Sequence, residues 1–135
     1  MKLLSAFFLL CTSFCPISSE MHHHHVEDRD ILNNSFNWIE QNISSFEELL
    51  ISWNATRPKQ GHYSVYVSVN IGNWSPWLLY AKWGSNFQKG TISKQDNIPV
   101  RVYQDAVEIL QGKLGHGFQI KIVAENGADI SNLKS

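Results

Sequence analysis

Between Tyr63 and Ile71 the chain alternates without a fault: Tyr63, Val65, Val67, Val69 and Ile71 fall on one side of a two-residue period, and Ser64, Tyr66, Ser68 and Asn70 on the other. Successive side chains of an extended strand point to opposite faces, so this run is a half-buried β-strand whose valines face a core. Such a strand cannot cover its apolar face alone and demands a sheet packed on a second layer. Gly72-Asn73 offers a tight turn, and the aromatic run from Trp74 to Trp83 reads as the returning strand of a hairpin. Pro76 within that return places it at an edge or a bulge, where a missing N–H costs nothing.

The rest of the chain is read against that strand. Phe118, Ile120 and Ile122 alternate with Gln119 and Lys121 and form the last clear strand. Val100 and Val102 make Ile98 to Leu110 a strand, although Ala106, Ile109 and Leu110 also fit a helical period. Gly112, Gly115 and Gly117 punctuate a turn, and Gly84 to Asn97 is a polar excursion. Around Ser44, Ser45, Glu47 and Glu48 the spacing matches a capping box, which predicts at most two turns of helix towards Trp53, ended by Pro58 and Gly61. Past Asn126-Gly127 the pattern fades. Repeated strands, glycine turns and no long amphipathic helix specify an all-β fold: an antiparallel β-sandwich, jelly-roll or immunoglobulin-like in connectivity.

The 135 residues amount to one domain, read as a single β-sandwich over 36–135 behind a signal peptide at 1–19 and a flexible polar, histidine-containing arm at 20–35. Lys2 supplies the positive start of the leader and Leu3 to Cys15 its apolar core, too short for a bilayer span and stopped by Pro16. Cleavage after Ser18-Ser19 leaves no membrane span and a secreted or periplasmic product. Both cysteines, Cys11 and Cys15, lie in the leader, so the mature domain has no disulfide, thiolate metal site or cysteine nucleophile; that tilts its origin towards a bacterial envelope. Phe14 is too large for the position before a lipidated cysteine. A formal net charge of -1 gives no field that would favour nucleic acid. His22 to His25 sit on the arm, where adjacent side chains define no coordination geometry, so no metal site is assigned.

Motif chemistry is empty. There is no Gly-rich phosphate loop, H-E-x-x-H or serine elbow, and no catalytic residue or cofactor is assigned. His62 and His116 stand beside glycines in expected turns, and Asp105 with Glu108 reads as a solvated pair. The unusual feature is aromatic: Trp53, Trp74, Trp77 and Trp83 with Tyr63, Tyr66 and Tyr80. At least half of these belong in the core of so small a domain. Tyr66 points away from the valines, and Tyr66, Trp74, Trp77 and Asn73 are the candidate ligand-binding residues, the rings stacking on a sugar and the amide bonding its hydroxyls. Asn-x-Ser/Thr sequons begin at Asn33, Asn42, Asn54 and Asn73.

The stretch Phe46-Glu47-Glu48-Leu49-Leu50-Ile51-Ser52-Trp53-Asn54-Ala55, then Pro58, the alternating strand, Asn73-Trp74-Ser75-Pro76-Trp77 and Trp83-Gly84, resembles the β-sandwich region that precedes the catalytic domain in secreted bacterial papain-like cysteine peptidases (peptidase family C-39-like), related to bacteriocin-leader peptidases. The likeness runs from about Phe46 to Leu133 and includes Gln95-Asp96 and the strand from Phe118 to Ile122. It implies that a peptidase domain with Gln, Cys, His and Asp or Asn follows this region; the chain ends at Ser135, and no family catalytic residue falls on any position here. A weaker resemblance, through Trp74-Ser75-x-Trp77, is to fibronectin-type cytokine-receptor modules, in which Leu78 replaces the second serine. The expectation is a non-catalytic accessory domain that binds cell-wall glycan or a protein partner. The alternative is a truncated or decayed peptidase fragment, or a subunit that positions a separately encoded peptidase.

Overall fold

The computed structural model describes residues 29–30, 34–53, 56–85, 88–90 and 99–133; the leader, the His22 to His25 run, Asn33, Asn54 and Gln95-Asp96 lie outside them. In chain order the strands are β1 (Arg29–Asp30), β2 (Ser35–Phe46), β3 (Glu48–Leu50), β4 (His62–Asn70), β5 (Leu78–Gly84), β6 (Gln88–Gly90), β7 (Val100–Tyr103), β8 (Ala106–Ile109) and β9 (Gly115–Glu125), followed by a 3-10 turn at Ile130–Asn132. They form two sheets, ordered β1-β2-β9-β4-β5-β6 and β3-β8-β7, with every pairing antiparallel. The expected antiparallel sandwich is what the chain builds. Among the described residues no helix is long and apolar enough to cross a membrane.

The alternating strand is the axis of the larger sheet. β4 lies between β5 and β9, and its register sets Val65 against Ile122, Val67 against Ile120 and Val69 against Phe118. All six side chains are buried, and Val102 and Val107 of the smaller sheet close the layer from the other side. Fully burying one such side chain is worth roughly 1.5–3 kcal/mol before the entropy of ordering is counted. β2 adds Phe36 and Trp38 opposite Ile122 and Ile120, and the Trp38 ring meets Phe118 edge to face at 5.1 Å.

Four expectations are corrected. The segment around the capping box is not helical: β2 runs to Phe46, and after Glu47 alone the chain continues as β3 in the other sheet. A two-turn helix carries a nucleation cost that a capping box does not offset, whereas β3 gains a full ladder with β8, Leu49 opposite buried Val107. The ladder of β2 with β9 is interrupted here, since Gln41 pairs Gly117 and Phe46 pairs Gly115, leaving Asn42 to Ser45 opposite His116 alone. Asn42, at φ 58, bends the strand at that bulge.

The return strand begins at Leu78 rather than Trp74, which makes only an isolated bridge to Asn70; Pro76 stands in the connecting segment, outside any ladder. The single strand expected over Ile98 to Leu110 is instead a hairpin from Val100 to Ile109, β7 and β8, turned at Gln104-Asp105 with φ 47 and 64, and Ile98 lies outside the described residues. Positive φ at both central residues is the type I′ signature, which neither Gln nor Asp advertises as Asn-Gly would. His62 and His116, finally, are strand residues of β4 and β9, not turn residues, and Gly115 and Gly117 also lie within β9.

The C-terminal stretch closes one end of the sandwich. Ile130 and Leu133 are buried, the Tyr63 hydroxyl donates to Asp129 O at 2.9 Å, and the Asn34 side chain donates to Ala128 O at 3.1 Å while accepting from Ile130 N at 2.9 Å. Between the sheets, the Tyr80 hydroxyl joins the backbone of Ile51, after β3, to Asp105 O in the β7–β8 turn. Burial raises the pKa of that phenol, keeping it a neutral donor.

Candidate functional site

The segment from Ile71 to Trp77 is fixed before it presents anything. Ser75 is buried; its hydroxyl accepts from Val69 N at 3.0 Å, and its carbonyl accepts from the Ser68 hydroxyl at 2.6 Å. Ser75 N donates to Val69 O at 2.9 Å, so a serine side chain and backbone together stand in for a paired strand along the end of β4. The Asn70 side chain accepts from Gly72 N at 3.0 Å, and Gly72 takes φ 108, a conformation that glycine alone adopts cheaply. Trp74, Ser75, Pro76 and Trp77 are therefore a clamp: the small buried serine anchors, and the tryptophans are left at the surface side.

What the clamp presents lies on the outward face of the larger sheet. Tyr66 shares the outward phase of β4 with Ser64 and Ser68, and the register sets it opposite Lys121 of β9. The Lys121 ammonium lies 5.5 Å from the Tyr66 ring centroid and 4.6 Å from that of Trp77, so one cation bridges the two rings. Trp77 stays 38% exposed. The same register row continues to exposed Asn37 on β2, opposite Lys121, and to Leu79 on β5, opposite Tyr66.

Of the four candidate residues, the fold thus gathers Tyr66 and Trp77, through a lysine. Trp74, half-buried, and Asn73, exposed, stay on the turn beyond Asn70. Lys121 was missing from the candidates although it occupies the polar phase of the last alternating strand; only the long-range register of β4 on β9 reveals its neighbour. Most of the remaining aromatics serve the interior: Tyr63 and Tyr80 are buried, Trp53 and Trp83 pack against the core, and Trp53 meets Tyr80 edge to face at 6.2 Å.

A second polar cluster occupies the opposite end of the same face. His62 is buried, and its Nε2 lies 2.9 Å from Glu125 Oε2, the oxygen that also accepts from the Ser64 hydroxyl at 2.5 Å. The serine bond, foremost, and the histidine hold the Glu125 carboxyl below its ordinary pKa against the opposing pull of partial burial. Serine, histidine and a carboxylate in contact invite comparison with a nucleophilic triad, but the order is different. A triad places the imidazole between hydroxyl and acid so that it takes the hydroxyl proton. Here the carboxylate stands between the other two and the serine proton is spent on it, an arrangement that ties β4 to β9. Among the described residues no three His, Cys, Asp or Glu side chains are grouped to hold a metal ion.

Fold and surface together define the class: an all-β, two-sheet domain whose outward face carries an aromatic and lysine cluster held by a serine-anchored turn. The chain belongs to the Peptidase C39 N-terminal domain family, which matches residues 37–129, from β2 to the residue that caps the final 3-10 turn. The match is to that N-terminal domain and includes no peptidase catalytic domain. No curated protein and no solved structure matched the chain.

Proposed function

We propose that this peptidase-associated domain is an exported, non-catalytic accessory module that binds a cell-envelope glycan or protein on the outward face of its larger sheet. The observation that carries the reading is the pair of rings, Tyr66 and Trp77, bridged by Lys121, with Trp77 left 38% exposed by a turn whose buried Ser75 fixes its position. An aromatic face held in place before the ligand arrives loses little entropy on binding, and amphipathic rings suit sugars and peptides alike. The apolar leader motivates the export, and the family match motivates the association with a peptidase.

The family match also favours a second reading, in which the same face positions a C39-type peptidase domain. One experiment addresses both: retention of the protein on purified cell-wall glycan, and on an immobilised peptidase domain of this family, compared with a Trp77→Ala variant. Truncating a central aromatic anchor is expected to weaken binding about tenfold or more. Retention on glycan that Trp77→Ala abolishes supports the first reading, and retention on the peptidase alone supports the second. Retention on neither, or retention indifferent to Trp77, overturns the assignment of this face.

A further inference from the structure

Among the described residues, no carboxylate answers the charge that this cluster holds. Among the described residues Lys121 makes no ion pair or hydrogen bond, and its described partners are the two rings. Glu125, a carboxylate farther along this face, is already taken by Ser64 and His62. A second cation, Lys82, stands in register with Ser64 at the Glu125 end of the face and acts on that carboxylate, which leaves Lys121 as the cation beside the rings among the described residues. Attraction of an exposed ammonium to an aromatic face is worth only about 0.5–1 kcal/mol. A charge-assisted hydrogen bond to a carboxylate is stronger, so an arriving carboxylate finds a donor held between two rings and, among the described residues, in no ion pair.

The row through Lys121 narrows the chemistry further. Across β2, β9 and β4 the outward residues are Asn37, Lys121 and Tyr66, and neighbouring strands lie about 4.8 Å apart. An acidic protein segment would be met by a line of cations. This row has one cation between an amide and an aromatic ring, with Trp77 beside it, which suits a unit that combines an apolar ring face, hydroxyls and one carboxylate. We propose that the outward face of the six-stranded sheet takes a carboxylate-bearing glycan, with Lys121 pairing the sugar-acid carboxylate, Trp77 and Tyr66 packing the ring face and Asn37 bonding its hydroxyls. This rests on the reading that the face binds ligand at all.

The test is calorimetric titration of the chain with a hexasaccharide of alternating glucuronate and N-acetylglucosamine, its carboxyl-reduced neutral counterpart, and an oligoglutamate peptide of equal charge. The acidic sugar is expected to bind about tenfold more tightly than the neutral one, and Lys121→Gln to erase that difference. Lys121→Arg should restore most of the preference, and tryptophan fluorescence unfolding shows that each variant is folded. Equal affinity for the two sugars, weakened in both by Trp77→Ala, overturns the carboxylate while the binding face stands. Binding to neither sugar overturns the glycan proposal, and preference for oligoglutamate overturns it in favour of an acidic protein segment.

Discussion

Glu125 shows how a single carboxylate can fasten two strands and set a pH limit on the fold. Its Oε2 accepts from Ser64 and pairs with His62, both on β4, while Glu125 itself ends β9. Because these partners hold its pKa below the ordinary 4.5, the carboxylate is more readily ionised folded than unfolded. Its contribution is therefore present above the unfolded value and is lost as pH falls through the folded one. Thermal unfolding followed between pH 7 and pH 2 should show stability falling below about pH 4.5, less steeply in Glu125→Gln than in the parent. Asp129, held low by Ser131, supplies a part that the variant keeps. Superimposable pH profiles for parent and variant would remove Glu125 from this role.

At the scale of the element, the β7–β8 hairpin is the place where local sequence and backbone disagree. Gln104 and Asp105 both occupy left-handed backbone, at φ 47 and 64, which costs a residue with a side chain roughly 1–2 kcal/mol. Replacing the pair by Asn-Gly, through Gln104→Asn with Asp105→Gly, should raise stability by about 1 kcal/mol. The Asp105 carbonyl that Tyr80 uses belongs to the backbone and survives the change. An unchanged or lowered denaturation midpoint would mean that the turn is held open by something other than its own φ angles.

The same disagreement explains what could be read from sequence. β4 and the central part of β9 declare themselves because one face of each is buried and the other is not, so hydrophobic alternation survives in the residue order. β3 and β8 are three and four residues long, too short for a period to show, and their pairing depends on partners far away in the chain. The site divides along the same line. Tyr66 was legible from its phase within β4, and Trp77 from its composition. The cation between them was not, because Tyr66 and Lys121 meet only through register. His62 was misplaced for a related reason: the adjoining Gly61, at φ 70, marks a turn that ends immediately before the strand rather than including the histidine.

Taken whole, the molecule is built so that neither sheet has an interior of its own. β2 and β3 are one nearly continuous run that leaves the larger sheet and enters the smaller, with Glu47 alone between them. The core is common property: Val67, Val69 and Leu78 from one sheet and Val100, Val102 and Val107 from the other belong to a single buried cluster. Tyr80, on β5, hydrogen-bonds backbone from two separate segments next to the smaller sheet. Losing the three-stranded sheet would expose the valines of the six-stranded one, so the two should unfold in one step, as small single-core domains do. Far-ultraviolet dichroism, which follows the strands, and tryptophan fluorescence should then give coincident urea transitions. Tyr80→Phe should move both midpoints down together by the equivalent of about 1–2 kcal/mol, since it leaves the backbone groups of Ile51 and Asp105 without their hydroxyl partner. Transitions that separate, or a Tyr80→Phe effect seen by one probe only, would show instead that the smaller sheet opens independently, and the aromatic face on the larger sheet would then be expected to keep its shape while the rest of the domain came apart.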